Sequence, residues 1–421
     1  MLDIKFIREN SDLVKMAAKK KHVKIDVEHL IEVDNTRISL QQQIDEIRAK
    51  QNMVSKRIPE LTDESEKVEL IKAMSAHKDD LKKYEEELRG VMKEWRDLML
   101  QVPNIPDMSV PEGQSDADNQ EHKTWGEKPG FAFEPKDHVE IMTSLGMVDF
   151  ERGSKVHGFR GYFLKGDGAL LSWAIWNYAR DFFGKKEFEH MIVPIIARPE
   201  NFYGTGHLPG DADDLYETQD HDYLAGTAEV STMGYHSGEI LSAEELPKKY
   251  LSFSPCYRRE AGSYGKDTKG LIRVHEFYKL EQVVICEASH ETSVKWHEEI
   301  NRNTEEFIES LNIPYRTVLN CGGDLGLGQV KKYDIELWVP GEETYREISS
   351  ASYFHDFQAR RFNISYKDGE GKKRFVHSLN STAIPTPRIL VSLVENFQQA
   401  DGSITIPEAL VPYFGKSEIR K

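Results

Sequence analysis

Three cysteines in 421 residues, Cys256, Cys286 and Cys321, are too few for a disulfide framework. None stands in a CxxC pair or a Cys/His run with zinc spacing, so no zinc is expected and the thiols read as those of a reducing cytosol. Long apolar runs are missing as well. The opening stretch MLDIKFIRENSDLVKMAAKK carries a charge every few residues and has neither the core of a secretory signal nor the length of a bilayer span, so a soluble cytoplasmic protein is expected. Basic charge is scarce, with 55 Lys and Arg against 71 Asp and Glu and a net charge of −16. That balance excludes a chain that coats nucleic acid by bulk charge but leaves room for a local patch, because phosphate binding needs only clustered Lys and Arg. There is no GxxxxGK[ST] loop, which removes the simple P-loop reading, and HRD and DFG elements are missing, which leaves a kinase unsupported.

The charge is unevenly spread. Residues 1–100 carry 20 Lys and Arg against 21 Asp and Glu, leaving 35 against 50 in the rest. The nearly neutral first quarter also holds basic runs at Lys19, Lys20 and Lys21 and at Lys56 and Arg57. It is periodic. Val33, Arg37, Leu40, Ile44, Ile47, Gln51, Val54 and Ile58 alternate steps of four and three, a heptad seam with Arg37 and Gln51 as polar interruptions. Leu70, Met74, His77, Leu81, Tyr84, Leu88, Val91, Trp95 and Leu98 repeat the pattern, with His77 read as a tolerated polar member rather than a ligand. Between the two runs, Pro59 stops a helix and Thr62-Asp63 starts one. Two helices of roughly 30–35 residues joined by a short turn close their stripes antiparallel, at about 1.5 Å per residue a rod about 45–50 Å long. By pattern alone a dimerisation rod or structural hairpin suits this segment as well as a nucleic-acid arm.

Residues 102–126 lose the periodicity and fill with Pro, Gly, Asp, Asn and Ser, which marks a linker or boundary. The divisions expected are an arm over residues 1–110, with its coiled coil roughly at 27–100, and a second domain over 111–421. In that domain β-rich runs such as Val283-Val284-Ile285-Cys286 and Ile335-Glu336-Leu337-Trp338-Val339 mix with helices. The strongest helix runs from Gly168 to Phe183, with Leu170, Leu171, Ala174, Tyr178, Ala179 and Phe182 available for burial. Without regular βαβ alternation, the fold class expected is α+β, an antiparallel sheet flanked by helices behind an N-terminal helical hairpin.

The densest polar constellation is PCYRREAGSYGKDTKGLIRVHEFYKLE, residues 255–281. Arg258, Arg259 and Glu260 precede a Gly-rich turn with Lys266, Asp267 and Lys269, and the chain returns through Leu271 to Phe277. Two β-like runs joined by a basic loop make a hairpin that sets arginines against a polyanion. Guanidinium for phosphate, carboxylate for an amino group and ring for a base together suit a nucleotide. The later Tyr345-Arg346-Glu347-Ile348-Ser349-Ser350 groups a carboxylate with hydroxyls, chemistry that suits magnesium shared with ATP phosphates; by spacing alone it could equally be an exposed strand edge.

Residues 255–281 resemble motif 2 of class II aminoacyl-tRNA synthetases, in the form found in bacterial seryl-tRNA synthetases. The resemblance extends to Gly226-Thr227-Ala228-Glu229, similar to that family's Thr-x-Glu serine loop, and to Arg346 through Ser350. It continues through Val376-His377-Ser378-Leu379-Asn380 to Arg388 and Glu395 through Gly402, similar to motif 3, and the heptad hairpin resembles the family's tRNA-binding arm. It implies a class II synthetase fold and a serine–tRNA ligase that forms seryl-adenylate, AMP and pyrophosphate. It implies ATP as substrate, Mg2+ as cofactor, serine and serine tRNA as partners with selenocysteine tRNA as a second candidate, and a homodimer built on the Gly168–Phe183 helix and the strand around Pro194.

The resemblance also implies residue roles. Arg258 holds the serine carboxylate and the ATP α-phosphate, beside Arg259 in the ATP site. Glu260 and Val274 contact the adenine and Phe277 stacks under it. Glu347 and Ser350 hold magnesium in the run that includes Ile348 and Ser349, and Arg388 meets the γ-phosphate or covers the adenine. Arg258, Arg388 and Glu347 form the catalytic set, and Thr227, Ala228, Glu229, Arg258, Glu281 and Thr382 line the serine pocket. The sequence departs from the family pattern at Gly226, where a proline is common, at Ser231 to Gly234, and at Ser381 to Pro387, which replaces a Gly-Ser-Gly-rich turn while keeping a hydroxyl at Thr382. Two competing readings are a paralogue that makes seryl-adenylate for a non-tRNA acceptor, which would have a lost or shortened arm, and a non-catalytic tRNA-binding paralogue, which would have an eroded ATP site. The chain keeps both.

Overall fold

The computed structural model describes residues 1–263 and 265–421, which divide into two compact units. The smaller comprises residues 3–19 and 23–103. Its main elements are α1 (Val27–Arg57), opened by the Asp26 carboxylate accepting from the His29 N–H at 2.9 Å, and α2 (Glu64–Gln101), opened by Asp63 accepting from the Ser65 N–H at 2.8 Å. Such a cap contributes about 1 kcal/mol by satisfying a donor the helix leaves unpaired. Pro59 lies in the short 3-10 turn Ile58–Glu60 that follows α1.

The helices run antiparallel, as the ion pairs across them record: His29 with Glu94 at 2.8 Å, Arg48 with Glu85 at 2.8 Å and Arg57 with Glu66 at 2.9 Å. Val33, Leu40, Ile44 and Ile47 of the expected seam are buried. Arg37, its first polar interruption, spans two interactions. Its Nε donates to Asp34 at 2.9 Å and its guanidinium lies 5.2 Å from the Trp95 ring centre. Among the described residues no helix is long and apolar enough to cross a membrane.

The larger unit holds residues 1–2, 20–22 and 104–421. Its main sheet has eight strands, β1 (Gln120–Trp125), β2 (Glu189–Ile192), β3 (Lys248–Tyr257), β4 (Glu276–Cys286), β5 (Tyr315–Leu319), β6 (Lys331–Val339), β7 (Thr344–His355) and β8 (His377–Thr386), among the described residues. They are ordered β1-β5-β6-β7-β8-β4-β3-β2, antiparallel throughout except for the edge pair β2–β3, which is parallel. Alternation on β4 sorts the two faces. Leu280 and Val284 join the main core with Leu171 and Ile175 of α3 (Asp167–Gly184), and with Ile300 and Phe307 of a later helix, His290–Ser310. Val283 and Ile285 point the other way, into a second core with Met233 of α4 (Glu229–Gly234). The His290–Ser310 helix is α5; Ala359 and Phe362 of α6 (Phe357–Phe362) complete the second core, and α7 (Arg388–Asn396) lies in the first.

Three local expectations change. Residues 104–126 are no tether: Asn104 donates to the carbonyls of Gly328 at 3.0 Å and Phe354 at 2.7 Å, and β1 forms the edge of the sheet. Composition missed this because β1, QEHKTW, is a polar edge strand with no buried residue. The return limb of residues 255–281 becomes a strand only at Glu276, because Leu271 and Ile272 are drawn into the main core and the Leu271 N–H bonds to His138. Leu170 is exposed, not buried, on the same side of α3 as the exposed Trp173 three residues on.

Candidate active site

The face of β4 that carries Val283 and Ile285 continues N-terminally as Phe277, Lys279 and Glu281, every second residue of one strand. These three meet the end of β3, the start of α4 and strand β8. The register sets Glu281 beside Ser252 on β3 and Thr382 on β8, and Phe277 beside Cys256. Arg258, Glu260, Val274, Phe277, Lys279, Glu347, Ile348, Thr382 and Arg388 line one cavity. A polar cavity of about 400 Å3 shares Ile272, Glu347 and Arg388 with it and adds Asp267, Arg273, Asp334, Glu336 and Arg346. A cavity of about 740 Å3 lies on the opposite side of the same strand, where Glu276 and Tyr278 alternate with the polar-site residues and meet Trp173 and Trp176 of α3.

Arg258 leaves β3 with its N–H on the His275 carbonyl at 3.0 Å, the last backbone link between the two limbs. Its guanidinium sits 5.3 Å from the Phe277 ring centre and donates to the Gly226 carbonyl at 3.3 Å. A Cβ on residue 226 would come within 3.2 Å of the Arg258 side chain, so the glycine keeps this approach open. Glu260 has a left-handed backbone, φ +57°, which turns the chain out of the strand. Its carboxylate is half-buried. Burial opposes its ionisation, but the hydrogen bond and charge of Arg273, 2.7 Å away, outweigh this and hold the group below its ordinary range. Arg259 is exposed and outside the cavity lining; its N–H bonds to the Asp214 carbonyl.

On β7 a register shift lies between Glu347, opposite Glu336, and Ser349, opposite Ile335. This bulge resets the alternation, so Glu347 and Ser350, three apart, come to one side of the strand. Asp334, opposite Ser350, is pushed up by burial, an effect Lys332 opposes, and its Oδ1 has no hydrogen-bond partner. Ser349 instead turns inward, its hydroxyl on the Thr382 carbonyl. Arg388, at the start of α7, donates to the carbonyls of Ile272 at 2.7 Å and Glu347 at 2.9 Å, joining the two limbs of the cavity. Among the described residues no three His, Cys, Asp or Glu side chains form a ready metal cage. A magnesium ion needs only one or two carboxylates when it is shared with phosphates and keeps its waters, and the exposed Glu347 carboxylate beside the orphaned Asp334 oxygen fits that requirement.

The inner end of the site is built round a lysine. Lys279 donates to Glu281 at 2.8 Å, to the Thr227 hydroxyl at 3.1 Å and to the Thr382 hydroxyl at 3.2 Å, and Thr382 donates to Glu281 at 3.2 Å. All four residues are buried. Thr227 and Ala228 precede α4, and Glu229 opens it with its carboxylate accepting from Gln358 of α6 at 2.6 Å. Burial raises Glu229 to about 7, with the Gln358 hydrogen bond opposing and the nearby Glu281 charge adding. His207, buried near Arg258 and Lys279, falls to about 4, chiefly from loss of solvent.

Thr227, Glu281 and Thr382, drawn from three distant segments, are thus brought together, with Glu229 beside them. Lys279 and Gln358 were not singled out from sequence. Lys279 was accessible to strand alternation, two residues from both Phe277 and Glu281; nothing in the composition of DFQARRF marks Gln358, which reaches the site from a helix on another segment.

Against known proteins, the profile of the seryl-tRNA synthetase N-terminal domain matches residues 1–106, and that of the class II tRNA synthetase core domain (G, H, P, S and T) matches residues 214–397. The chain is 45% identical to the serine–tRNA ligase of Deinococcus radiodurans over 420 residues, 100% of this chain and 99% of that one. It is 42% identical to that of Geobacter sulfurreducens, covering 99% of each. Among solved structures it is similar to seryl-tRNA synthetase from Pyrococcus horikoshii complexed with ATP, TM-score 0.91, 37% identity, 100% of this chain and 99% of that one. The cytoplasmic serine–tRNA ligase of Naegleria fowleri in complex with AMP follows at TM-score 0.87 and 32% identity, with the same coverage.

Proposed function

The chain belongs to the seryl-tRNA synthetase family and is a serine–tRNA ligase that uses ATP, and from that premise we propose how its own residues carry the two steps. In the first, a serine carboxylate oxygen attacks the α-phosphorus of ATP in line and pyrophosphate leaves. In the second, a hydroxyl of the terminal tRNA ribose attacks the seryl carbonyl and AMP leaves. Neither step needs a covalent bond to the protein, so positioning and charge neutralisation carry the rate.

Arg258 holds the serine carboxylate and the α-phosphate together. The adenine stacks on Phe277, and the Arg258 guanidinium, 5.3 Å from that ring centre, reaches the α-phosphate beside it. Val274 borders the base, and Glu260, anchored by Arg273, accepts from its amino group. Arg259 lies at the entrance, and Arg388 meets the γ-phosphate end. Glu347 and Ser350, beside Ile348 and Ser349, would hold magnesium, which would neutralise charge on the phosphates. Thr227, Ala228, Glu229, Glu281 and Thr382 enclose the serine side chain and ammonium.

The single observation that carries this reading is the buried group of Lys279, Glu281, Thr227 and Thr382 opening into the cavity that holds Arg258 and Phe277. It is a small polar pocket for a hydroxyl and an ammonium, joined to a cationic, aromatic site for a nucleotide.

The arm, residues 1–110 with its coiled coil from 27 to 100, holds the tRNA, and residues 111–421 carry the chemistry. A second copy covers the open apolar face, where Trp173 is 70% exposed and Ile192 86% exposed, giving a homodimer. The place of action is the cytoplasm. The test is transfer of labelled serine to tRNA. Serine tRNA should be acylated in an ATP-dependent manner, and selenocysteine tRNA tried separately decides whether it is a second substrate. Adenylate formation without transfer to any tRNA would favour the non-tRNA acceptor instead.

A further inference from the structure

The inner pocket can be followed proton by proton. Lys279 is 6% exposed and is a donor only. Its three N–H groups are all placed, on Glu281 Oε2, Thr227 Oγ1 and Thr382 Oγ1. Thr382 accepts from Lys279 and passes its own proton to Glu281 Oε2. Thr227 accepts from Lys279 and, at 3.4 Å, from the Glu229 N–H, so both its lone pairs are engaged and its hydroxyl hydrogen is left over. Glu281 Oε2 is filled twice, while its Oε1 accepts no hydrogen bond among the described residues. The pocket therefore presents one free donor, the Thr227 hydroxyl, and two acceptors, Glu281 Oε1 and the second lone pair of Thr382, all on groups held by the same ammonium.

We infer that Lys279 is a positioning residue that sets serine specificity, by fixing Glu281, Thr227 and Thr382 so that a single donor, the Thr227 hydroxyl, faces the Glu281 and Thr382 acceptors left for the substrate hydroxyl. A serine hydroxyl, which gives one proton and takes another, satisfies that donor and an acceptor. Alanine leaves them unpaired in a buried pocket, the situation that polar sites penalise most. Without the lysine the two threonine hydroxyls rotate freely, pair with each other or with Glu281, and the penalty on alanine falls. A buried carboxylate stripped of its cation is also a worse partner for the substrate ammonium. The inference rests on the reading of this pocket as the serine site.

The test is pyrophosphate exchange by the full chain with serine and with alanine, for the unaltered protein and for Lys279→Met, Lys279→Arg and Glu281→Ala. Lys279→Met should lower kcat/KM for serine by about 100-fold and shrink the serine-over-alanine ratio by about tenfold or more, sizes set by loss of buried polar pairing. Its KM for ATP should stay within about threefold, since the nucleotide groups are untouched. Lys279→Arg, which keeps the cation, should recover part of the ratio. Thermal unfolding with and without ATP reports folding, and Lys279→Gln takes the place of the methionine variant if that one does not fold. An unchanged serine-over-alanine ratio in the folded neutral variant overturns the inference, and so does a loss of ATP affinity as large as the loss for serine. If Glu281→Ala uses serine normally, the pocket itself has been misassigned; if Glu281→Ala is impaired while Lys279→Met keeps its selectivity, only the role of Lys279 fails.

Discussion

Glu229 shows how much one side chain can bring to the chemistry. It is a carboxyl raised to about 7 by burial, in the pocket proposed to take the substrate ammonium. Lys279 and Glu281 on β4 face it with opposite charge, and Gln358 on α6 and Asn380 on β8 hydrogen-bond it. On that proposal its ionised form attracts the substrate, and because its value lies above the ordinary carboxylate range, that form is lost as pH falls through about 7. KM for serine should therefore be flat above neutrality and climb below it, approaching tenfold per pH unit, with Glu229→Gln removing the dependence at a uniformly higher KM. Equal KM values at pH 6 and pH 8 would remove Glu229 from ammonium binding. In the proposed mechanism Arg258 serves the transition state, where charge builds on the α-phosphate. Arg258→Ala should reduce kcat of exchange by about 100–1000-fold, as loss of a comparable donor does elsewhere; near-normal kcat with altered KM would make it a binding residue only.

At the scale of elements, the heptad hairpin and α3 have separable duties. The hairpin closes its own seam through Leu40, Ile44 and Ile47, and its helices pair through Arg48 with Glu85 and Arg57 with Glu66. Excising residues 44–88 and joining the stubs with a short Gly/Ser turn should leave serine-dependent exchange intact, depress aminoacylation of tRNA by about tenfold or more, and flatten the salt dependence of tRNA binding. Undiminished aminoacylation would reassign the hairpin as a structural rod. On α3, Trp173 and Leu170, with Phe163 and Ile192, leave large apolar side chains exposed. Trp173→Glu should shift the sedimentation coefficient from dimer to monomer, because a charge on that face has no partner; an unaltered protein that already sediments as a monomer would refute the homodimer.

For the whole molecule, legibility followed periodicity. The two long helices, the sheet strands containing Val283 to Cys286 and Ile335 to Val339, and the helix at 168–183 could be read because each buries a repeating face. The polar edge strand Gln120–Trp125 buries none, and it passed as a linker. The site was legible as residue types in two runs, and the resemblance to a family supplied the roles; the sequence could not say that Lys279 would sit between Glu281, Thr227 and Thr382, since that depends on β4 lying between β3 and β8. Nor could it foretell that Leu170 faces outward, because helical spacing alone does not distinguish a core stripe from an apolar face left for a partner. The acidic balance, −16 overall with a nearly neutral first quarter, fits a division of labour in which a basic-patched arm meets the polyanion. The central claim is that this pocket and nucleotide site together make seryl-adenylate. The most direct measurement is ATP–pyrophosphate exchange by the unaltered protein with each standard amino acid in turn. Exchange should be strong with serine and at least about 100-fold weaker with alanine, which lacks the hydroxyl the pocket is built to pair; exchange driven by another amino acid, or none with serine, would contradict the account.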